Sequence, residues 1–288
     1  MTIWNLGSIN VDHVYQVPEF VAPGETLTAR HYSWGLGGKG LNQSIAALRS
    51  GGQMRHLGAI GQDDSSTLAA LHDLGLPTPW RVEGPTGHAV IQVNSAGENC
   101  IVLAPGANQA LSAEKISHAL SQAQSGDWLL LQNETNGAQT AVDLAKSKGL
   151  KICYAAAPFE PAAVAAIIDH IDLLSVNEVE LAQLKASMDV RVAQLVTLGA
   201  KGAYYQTIEG ARTSIPAYEV TPLDTTGAGD TFLGVFLARL DRGDPLAACL
   251  RWASAAAAVQ VTRVGAASVI PTTAEIETFV QENKFERI

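Results

Sequence analysis

The sequence predicts an α/β fold in which helices cover a mostly parallel central sheet and a small β-sheet is inserted into the N-terminal third. Two observations predict it. After residue 110, short apolar segments alternate regularly with helical segments, an order that gives parallel strands with helices on both faces of the sheet. Before residue 110, two turn-rich regions within about 10–36 and 86–104 carry segments of strand character. No repeat or linker divides the 288 residues, so we expect one domain over 1–288.

The N-terminal third is predicted to be mostly strands. Residues 3–9 form an apolar strand that ends in the polar turn Asn10–His13, a natural position for ligand-binding groups in α/β sheets. Residues 14–36 carry Pro18, Pro23 and Gly24 and are expected to be extended, with a short strand over 26–33. The remaining predictions are a helix from Leu41 to the break at Gly51-Gly52, a strand over 54–60, and a hairpin of 87–93 and 98–103.

From residue 110 onward the predicted elements alternate. The helices cover about 112–124, 137–148, 161–168 and 178–186, and the strands cover 128–132, 151–155, 173–176 and 194–198. A second hairpin, 202–206 with 211–215, leads into helices at about 228–241, 245–260 and 273–282.

Composition limits the classes of partner. The net charge is −9, from 19 Lys and Arg against 28 Asp and Glu, which argues against nucleic acid or an anionic membrane as the main partner and favours a small polar ligand. Cys100, Cys153 and Cys249 lie far apart without the spacing of a zinc site or a disulfide framework. No signal-peptide pattern and no run of about 18 apolar residues is found, so we expect a cytoplasmic protein.

The most informative segment is Asp224–Asp230, Asp-Thr-Thr-Gly-Ala-Gly-Asp, which an apolar helical run follows. Small residues let the backbone approach a ligand closely, and a helix N-terminus points free N–H groups at it, which favours an anion. Asp230 falls in the first helical turn, where a carboxylate could take a proton from a hydroxyl nucleophile beside a phosphoryl group. The alternative for this segment alone is that Asp230 caps the helix and the glycines only turn the chain.

A second glycine-rich segment is Gly35–Gln43. It matches G-x-G-x-x-G formally, but the βαβ context of a dinucleotide site is weak, and Asp63 and Asp64 are only approximately at the expected distance. A Walker A loop does not fit because Gly40 follows Lys39. Backbone contact with a small ligand, with Lys39 and Asn42 as hydrogen-bonding groups, remains as the interpretation.

Together these segments resemble the ribokinase family of carbohydrate kinases, and the resemblance covers nearly the whole chain. The matching motifs, in order, are Gly7–His13, Pro23–Thr26, Gly37–Gln43, Asn177–Glu180, Thr197–Gly199 and Asp224–Asp230. The resemblance implies a three-layer αβα sandwich with the inserted sheet as a lid. It also implies an ATP-dependent kinase acting on a primary hydroxyl of a small sugar, with ribose as the leading substrate, and a homodimer paired through the lids.

The resemblance assigns roles to residues by position. Asp230 is the expected base, and the N–H groups of Gly227, Ala228 and Gly229 are expected to form the anion hole. The expected sugar contacts are Asn10, Asp12, Gly38, Lys39, Asn42, Glu134 and Asp230. The expected nucleotide contacts are Asn177, Thr197, Gly199, Gly202 and Gly229.

The resemblance also implies two kinds of metal ion. Asn177 and Glu180 are expected to act through water on the Mg²⁺ that accompanies ATP, although the same spacing suits a helix capping box. A monovalent cation, usually K⁺ in this family, is expected near Asp224 and Thr226, with carbonyl ligands near Gln260, Gly265 and Ser268.

Two features depart from the family pattern. Ala155–Pro158 stands where the family usually has Asn-Pro-Ala-Pro, and the stretch between Glu180 and Thr197 is about one helix shorter than usual. The open alternatives are a nucleoside, a hexose or a sugar phosphate as substrate, or a sugar-binding protein without catalysis. A nucleoside would need an apolar or aromatic shelf, for which Tyr32, Trp34 and His88 are candidates.

Overall fold

The computed structural model describes residues 1–283, and the last predicted helix lies within them. Its main sheet has eight strands in the order β14-β13-β12-β11-β10-β9-β1-β4. The six strands from β12 to β4 are parallel, and the hairpin β13–β14 adds two antiparallel strands at one edge. The strands are β1 Ile3–Leu6, β4 Met54–Leu57, β9 Trp128–Gln132, β10 Lys151–Ala155, β11 Leu173–Asn177, β12 Ala193–Thr197, β13 Ala203–Gln206 and β14 Arg212–Ile215.

Helices cover both faces of this sheet. The helices are α1 Lys39–Arg49, α2 Ser65–Asp73, α3 Ala113–Ser121, α4 Ala138–Lys148, α5 Pro161–Ile167, α6 Glu178–Ser187, α7 Ala228–Asp241, α8 Leu246–Val261 and α9 Thr273–Glu282. Side chains of α1, α7, α8 and α9 share one apolar core, and those of α3 to α6 share another. Successive strand residues alternate between the two cores, as Trp128 and Leu129 do. The predicted three-layer αβα sandwich is therefore confirmed.

A separate four-stranded sheet has the order β3-β2-β7-β8. Its strands are β2 Asn10–Gln16, β3 His31–Gly37, β7 Gly87–Val93 and β8 Asn99–Ala104. The predicted hairpin is confirmed as the antiparallel pair β7–β8. Register places Asn10 opposite Gly37 and Asp12 opposite Gly35, so the chain passes from the main sheet through the small sheet and directly into α1.

Several elements differ from the predictions. The strand expected over 26–33 is instead β3, His31–Gly37. The strand predicted over 3–9 ends at Leu6, because the chain leaves the main sheet at Gly7 and Ser8 and pairs with the small sheet from Asn10. The apolar stretch 54–60 splits into β4 and the short strand β5 Ala59–Gly61, which pairs with β6 Trp80–Val82. Helix α2, which the apolar pattern did not predict, begins where Asp64 accepts a hydrogen bond from the Thr67 N–H.

The stretch between Glu180 and Thr197 contains the remainder of α6 and the start of β12. Across residues 1–283, the model contains no helix that is both long and apolar enough to cross a membrane.

Candidate active site

The site is built where the end of β1 meets the start of α1. Gly38 precedes α1 with a positive φ of 99°, a conformation that glycine adopts without strain. A Cβ atom built on Gly40 would lie 2.3 Å from the Cα of Gly7. The backbone of the β1–β2 junction can therefore lie directly against the first turn of α1.

Glu134, in the turn after β9, joins these two segments. Its Oε2 accepts a hydrogen bond from Ser8 Oγ at 2.5 Å and another from the Lys39 N–H at 3.0 Å. The Ser8 hydroxyl oxygen in turn accepts from the Gly40 N–H at 3.2 Å. These contacts hold a carboxylate over the N-terminus of α1, where the helix dipole stabilises negative charge.

Asp230 reaches the same place from α7. Gly227 precedes this helix with a φ of 72° and Asp230 lies in its first turn. One carboxylate oxygen, Oδ1, accepts from Gln43 Nε2 at 2.9 Å, and the other, Oδ2, accepts from Asn42 Nδ2 at 3.2 Å. Two neighbouring amides on α1 thus orient the carboxylate of α7.

Asn10 and Asn42 are almost completely buried. Asn10 Oδ1 accepts from Asn108 Nδ2 at 2.8 Å, and Asn108 Oδ1 accepts from the Ile9 N–H at 2.9 Å. Asn42 Oδ1 is buried and receives no hydrogen bond from any residue between 1 and 283. A buried acceptor without a donor is costly, and a ligand hydroxyl would satisfy it.

The charged groups of the site shift one another's pKa values. Burial, and next the nearby Glu134 carboxylate, raises the pKa of Asp12 to about 6. Burial lowers the pKa of Lys39, but the carboxylates of Asp230, Glu134 and Glu180 outweigh it and raise that pKa above its ordinary value. Burial raises the pKa of Asp230, and this exceeds the opposing effects of Lys39 and of the Gln43 and Asn42 hydrogen bonds. Lys39 therefore stays a cation near the three carboxylates of Asp230, Glu134 and Glu180.

A cavity of about 300 Å³ lies on the other side of the α7 N-terminus. Its walls come from the β12–β13 connection, the segment before α7 and the inner face of α8. The residues that line it include Thr197, Gly199, Gly202, Tyr218, Val220, Ala228, Gly229 and Ala258. Three of the predicted nucleotide contacts from the β12–β13 region, together with Gly229, thus share one cavity, which is largely apolar beyond the helix terminus.

Asn177 and Glu180 form a capping box at the start of α6. Asn177 Oδ1 accepts from the Glu180 N–H and Glu180 Oε2 accepts from the Asn177 N–H, both at 2.8 Å. The helix capping box that the spacing of these two residues allowed is therefore present. Asn177 Nδ2 and Glu180 Oε1 take no part in the box, and the Glu180 carboxylate contributes to the raised pKa of Lys39.

Asp224 ties together two loops. Its Oδ1 accepts from the Thr226 N–H at 2.9 Å and its Oδ2 from the Gly265 N–H at 3.0 Å. Gln260 is fully buried in α8 and donates from Nε2 to the Thr226 carbonyl at 2.9 Å. Ser268 lies in a short 3-10 turn and its carbonyl accepts from Arg49. Within residues 1–283, no cluster of three or more His, Cys, Asp or Glu side chains could hold a metal ion.

Three aromatic candidates for a nucleoside shelf lie away from this site. Because neighbouring strand residues point to opposite faces, Trp34 and His13 share the face of the small sheet opposite to Asp12. Tyr32, Trp34 and His88 line a separate cavity of about 670 Å³, between the small sheet and the start of α2. None of the predicted sugar contacts lines that cavity.

Sequence reasoning missed several polar residues of the site. Gln43 was inside a recognised motif, but no role was assigned to it, and its contact with Asp230 depends on a residue 187 positions later. Ser8 was likewise in a motif and unassigned. Asn108 has no local sequence signal, because only the fold brings it to Asn10.

Comparison with known proteins gives consistent results. The model of the pfkB family of carbohydrate kinases matches residues 2–273. The chain is 36% identical to the ribokinase of Haemophilus influenzae, over 97% of this chain and 98% of that protein. The crystal structure of ribokinase from Thermotoga maritima superposes with a TM-score of 0.86 at 33% identity, covering 97% of this chain and 99% of that one.

A structure of Arabidopsis thaliana ribokinase complexed with ribose and ATP superposes with a TM-score of 0.83 at 26% identity, covering 99% of both chains. The match of the family model over nearly the whole chain, together with these likenesses, shows that this chain belongs to the pfkB family of carbohydrate kinases.

Proposed function

We propose that this carbohydrate kinase transfers the γ-phosphoryl group of ATP to the primary hydroxyl of D-ribose, with Asp230 as the base. One observation carries the proposal. Ala228 and Gly229 line the nucleotide-side cavity, while the next residue, Asp230, turns to Asn42 on the sugar side. A carboxylate at the junction of two ligand sites is where a proton must leave the acceptor hydroxyl.

The sugar side suits a small polyol. Asn10, Asp12 and Glu134 provide acceptors, Lys39 provides a cation, and Asn42 Oδ1 lacks a donor within residues 1–283. A site that hydrogen-bonds hydroxyls rejects ligands that lack them, because its own buried polar groups would then be unpaired. The backbone of Gly38, which has no side chain to obstruct it, completes this set.

The α7 N-terminus is the proposed anion hole. The N–H groups of Gly227, Ala228 and Gly229 lie at the start of a helix of 14 residues, whose dipole and unpaired N–H groups favour a phosphoryl group. In the structure the Ala228 N–H also donates to the Thr225 carbonyl at 3.2 Å. These donors would stabilise the charge of the group in transit while Asp230 holds the hydroxyl proton on Oδ2.

Two cations complete the proposal. Mg²⁺ would bind with ATP and neutralise phosphate charge. Glu180 Oε1, which lies outside the capping box, and the second lone pair of Asn177 Oδ1 could accept hydrogen bonds from its water shell. A monovalent cation, K⁺ by family resemblance, would lie between the loops that Asp224 joins, with Thr226 and carbonyls near Gln260, Gly265 and Ser268. Binding there would hold the residues that precede the anion hole.

The position of the aromatic residues argues against a nucleoside as the preferred substrate. Tyr32, Trp34 and His88 would have to stack on a base, but they line a cavity on the opposite face of the small sheet from Asp12. A binding protein without catalysis would not need Asp230 held by two amides at the mouth of a nucleotide cavity.

The test is ADP release with Mg²⁺ATP across a panel of ribose, 2-deoxyribose, fructose, adenosine and ribose 5-phosphate, with and without K⁺. We expect ribose to give the highest kcat/KM and K⁺ to raise it. A higher kcat/KM for adenosine would overturn the choice of substrate. Release no faster than the sugar-free rate with every acceptor would overturn the kinase assignment of this chain.

We also propose a cytoplasmic homodimer. The small sheet exposes five large apolar side chains, Tyr32, Trp34 and Val102 on one face and Ile101 and Leu103 on the other. Exposed apolar side chains grouped on one small sheet favour an interaction surface there. The three cysteines are free thiols, which fits a reducing compartment. Light scattering during size-exclusion chromatography should give twice the chain mass, and a monomer at micromolar concentration would contradict the dimer.

A further inference from the structure

Three buried side-chain amides form a continuous chain that ends on Asp230. Asn5 on β1, Gln132 at the end of β9 and Gln43 on α1 are each at most 1% exposed. Gln132 Nε2 donates to Asn5 Oδ1 at 2.8 Å and to Gln43 Oε1 at 2.7 Å. Gln43 Nε2 then donates to Asp230 Oδ1 at 2.9 Å. We refer to Asn5, Gln132 and Gln43 as the amide chain.

The direction of the amide chain is fixed by the backbone. Asn5 Nδ2 donates to the Gly40 carbonyl oxygen at 2.8 Å, and because a carbonyl can only accept, the amide of Asn5 has one possible orientation. Its Oδ1 must then face Gln132, which has to offer an N–H. Gln43 must likewise accept from Gln132 with Oε1, so its own NH₂ group is the end that faces Asp230.

Such an arrangement is expensive for a purely structural core. Burying an amide costs free energy unless it is hydrogen-bonded, and apolar side chains of similar volume would fill the same space without that cost. The amide chain instead delivers one donor to one oxygen of one carboxylate. The second oxygen, Oδ2, has the longer contact of 3.2 Å, to Asn42.

We propose that Gln43 is a positioning residue for phosphoryl transfer, and that Gln132 and Asn5 act through it. Gln43 occupies Oδ1 of Asp230, which leaves Oδ2 as the oxygen that takes the proton of the sugar hydroxyl. This inference rests on the proposed role of Asp230 as the base. It gives a role to Gln43, a buried polar side chain that follows Asn42 on α1, donates to Asp230 Oδ1 and is not one of the proposed sugar contacts.

The charges around Asp230 predict how its pKa changes when the Gln43 hydrogen bond is removed. Lys39 from α1 lowers the pKa of Asp230 and Glu134 from the turn after β9 raises it, while the Gln43 and Asn42 hydrogen bonds lower it. Removing the Gln43 donor leaves both charged neighbours in place. The carboxyl should therefore keep its proton to a higher pH, and the base should be active over a narrower range.

The first experiment compares Gln43→Met and Gln132→Glu with the unmodified chain. Gln43→Met keeps the length of the side chain and removes the donor. Gln132→Glu does not touch Asp230, but its carboxylate cannot donate to Gln43, whose amide then turns and presents its oxygen to Asp230. For both we expect kcat to fall about 10- to 100-fold, the sugar KM to change less than about 3-fold, and the acid limb of kcat/KM to move up by about one pH unit.

Gln194→Met is the matched control, because Gln194 is a buried glutamine on β12 outside the amide chain. It should cost comparable thermal stability without moving the pH profile. The double variant Gln43→Met with Gln132→Glu should behave like Gln43→Met alone, because coupled residues are not additive. Additive losses in kcat, or an unmoved acid limb in both single variants, would overturn the proposal.

Direct titration of the carboxyl carbon of Asp230 by NMR, in the ligand-free chain, separates this inference from the proposed function. If the unmodified chain phosphorylates no sugar, the proposed function fails, yet the titration still decides whether Gln43 acts on Asp230. We expect a higher pKa of Asp230 in Gln43→Met and in Gln132→Glu, and no change in Gln194→Met. An equal pKa in all four proteins would contradict the positioning role, whatever their activity.

Discussion

A Cβ atom built on Gly37 would lie 2.0 Å from Asp12 Oδ2. The Asp12 carboxylate therefore lies across the backbone of Gly37, two residues before α1 begins. No side chain larger than hydrogen fits at this position unless the carboxylate moves. The last residue of β3 thereby sets where a proposed sugar contact of β2 points.

Gly37→Ala should displace the Asp12 carboxylate and weaken sugar binding. Because Gly37 has no positive φ, alanine brings no backbone strain, and the effect should be local to Asp12. Losing one hydrogen bond to a charged group costs roughly 1.5–3 kcal/mol, so we expect the sugar Kd to rise about 10- to 100-fold by isothermal titration calorimetry. Gly35→Ala is the control, because a Cβ atom on Gly35 meets nothing within 4 Å. Equal losses in the two variants would refute the steric explanation.

Asp230→Asn should abolish most turnover without preventing binding. The asparagine keeps the shape of the side chain but cannot accept a proton, and a general base contributes roughly 10²- to 10⁴-fold. We expect kcat to fall by about that factor, measured by ADP release, while the sugar Kd changes less than about 3-fold. Retention of more than about a tenth of the turnover would exclude Asp230 as the base.

Sugar affinity should depend on pH through Asp12. Its pKa is raised to about 6 in the ligand-free chain, so the folded chain holds this proton up to a higher pH than the unfolded chain does. In the proposed sugar site the ionised Asp12 carboxylate would accept hydrogen bonds from sugar hydroxyls. Affinity should therefore be full above pH 7 and fall as pH drops below about 6. Calorimetry in buffers of different ionisation enthalpy should detect proton release on binding near pH 6.

Asp12→Asn provides the test of that assignment. The variant should bind more weakly at pH 7.5 and should lose the proton release near pH 6, because an amide does not titrate. If proton release persists unchanged in Asp12→Asn, another group is responsible for it.

The sequence was most informative where local pattern decides structure. The parallel strands β9 to β12 were predicted within one residue at either end, because continuous apolar runs between helices have few alternatives. The hairpin β7–β8 followed from its turn residues in the same way. Boundaries failed where the chain changes sheets, as at Gly7 and Ser8, since apolar character continues through the break.

Contacts between residues far apart in the sequence limit how much of the site can be predicted from the sequence. The residue types at Asp12, Lys39 and Asp230 could be assigned from motifs, but the orientation of each carboxylate could not. Gln43 meets Asp230 across 187 residues, and Asn108 meets Asn10 across 98. Such contacts depend on the packing of α1 against α7 and on the path of the small sheet, neither of which leaves a periodic signal.

Alanine substitutions at Gly229 and Gly227 should change the stability of the folded chain in opposite directions. A Cβ atom on Gly229 meets nothing within 4 Å, and Gly229 lines the cavity of about 300 Å³ that is the proposed nucleotide site. Gly229→Ala should therefore fold normally, gain up to about 1 kcal/mol of helix stability, and raise the KM for ATP about tenfold by obstructing the phosphate. The sugar Kd should stay unchanged, which calorimetry without nucleotide can check.

Gly227→Ala, two residues earlier, should instead lose stability. Gly227 has a φ of 72° and its added Cβ would lie 3.1 Å from Asn42 Nδ2 and from Gln260 Nε2. The left-handed backbone costs roughly 1–2 kcal/mol for a residue with a Cβ, so thermal unfolding should begin several degrees lower. Crowding of Asn42 should also weaken its hydrogen bond to Asp230 and raise the sugar Kd. Gly229→Ala should not change the sugar Kd. If Gly229→Ala weakened sugar binding as much as Gly227→Ala, the two sides of the α7 N-terminus would not be separate ligand sites.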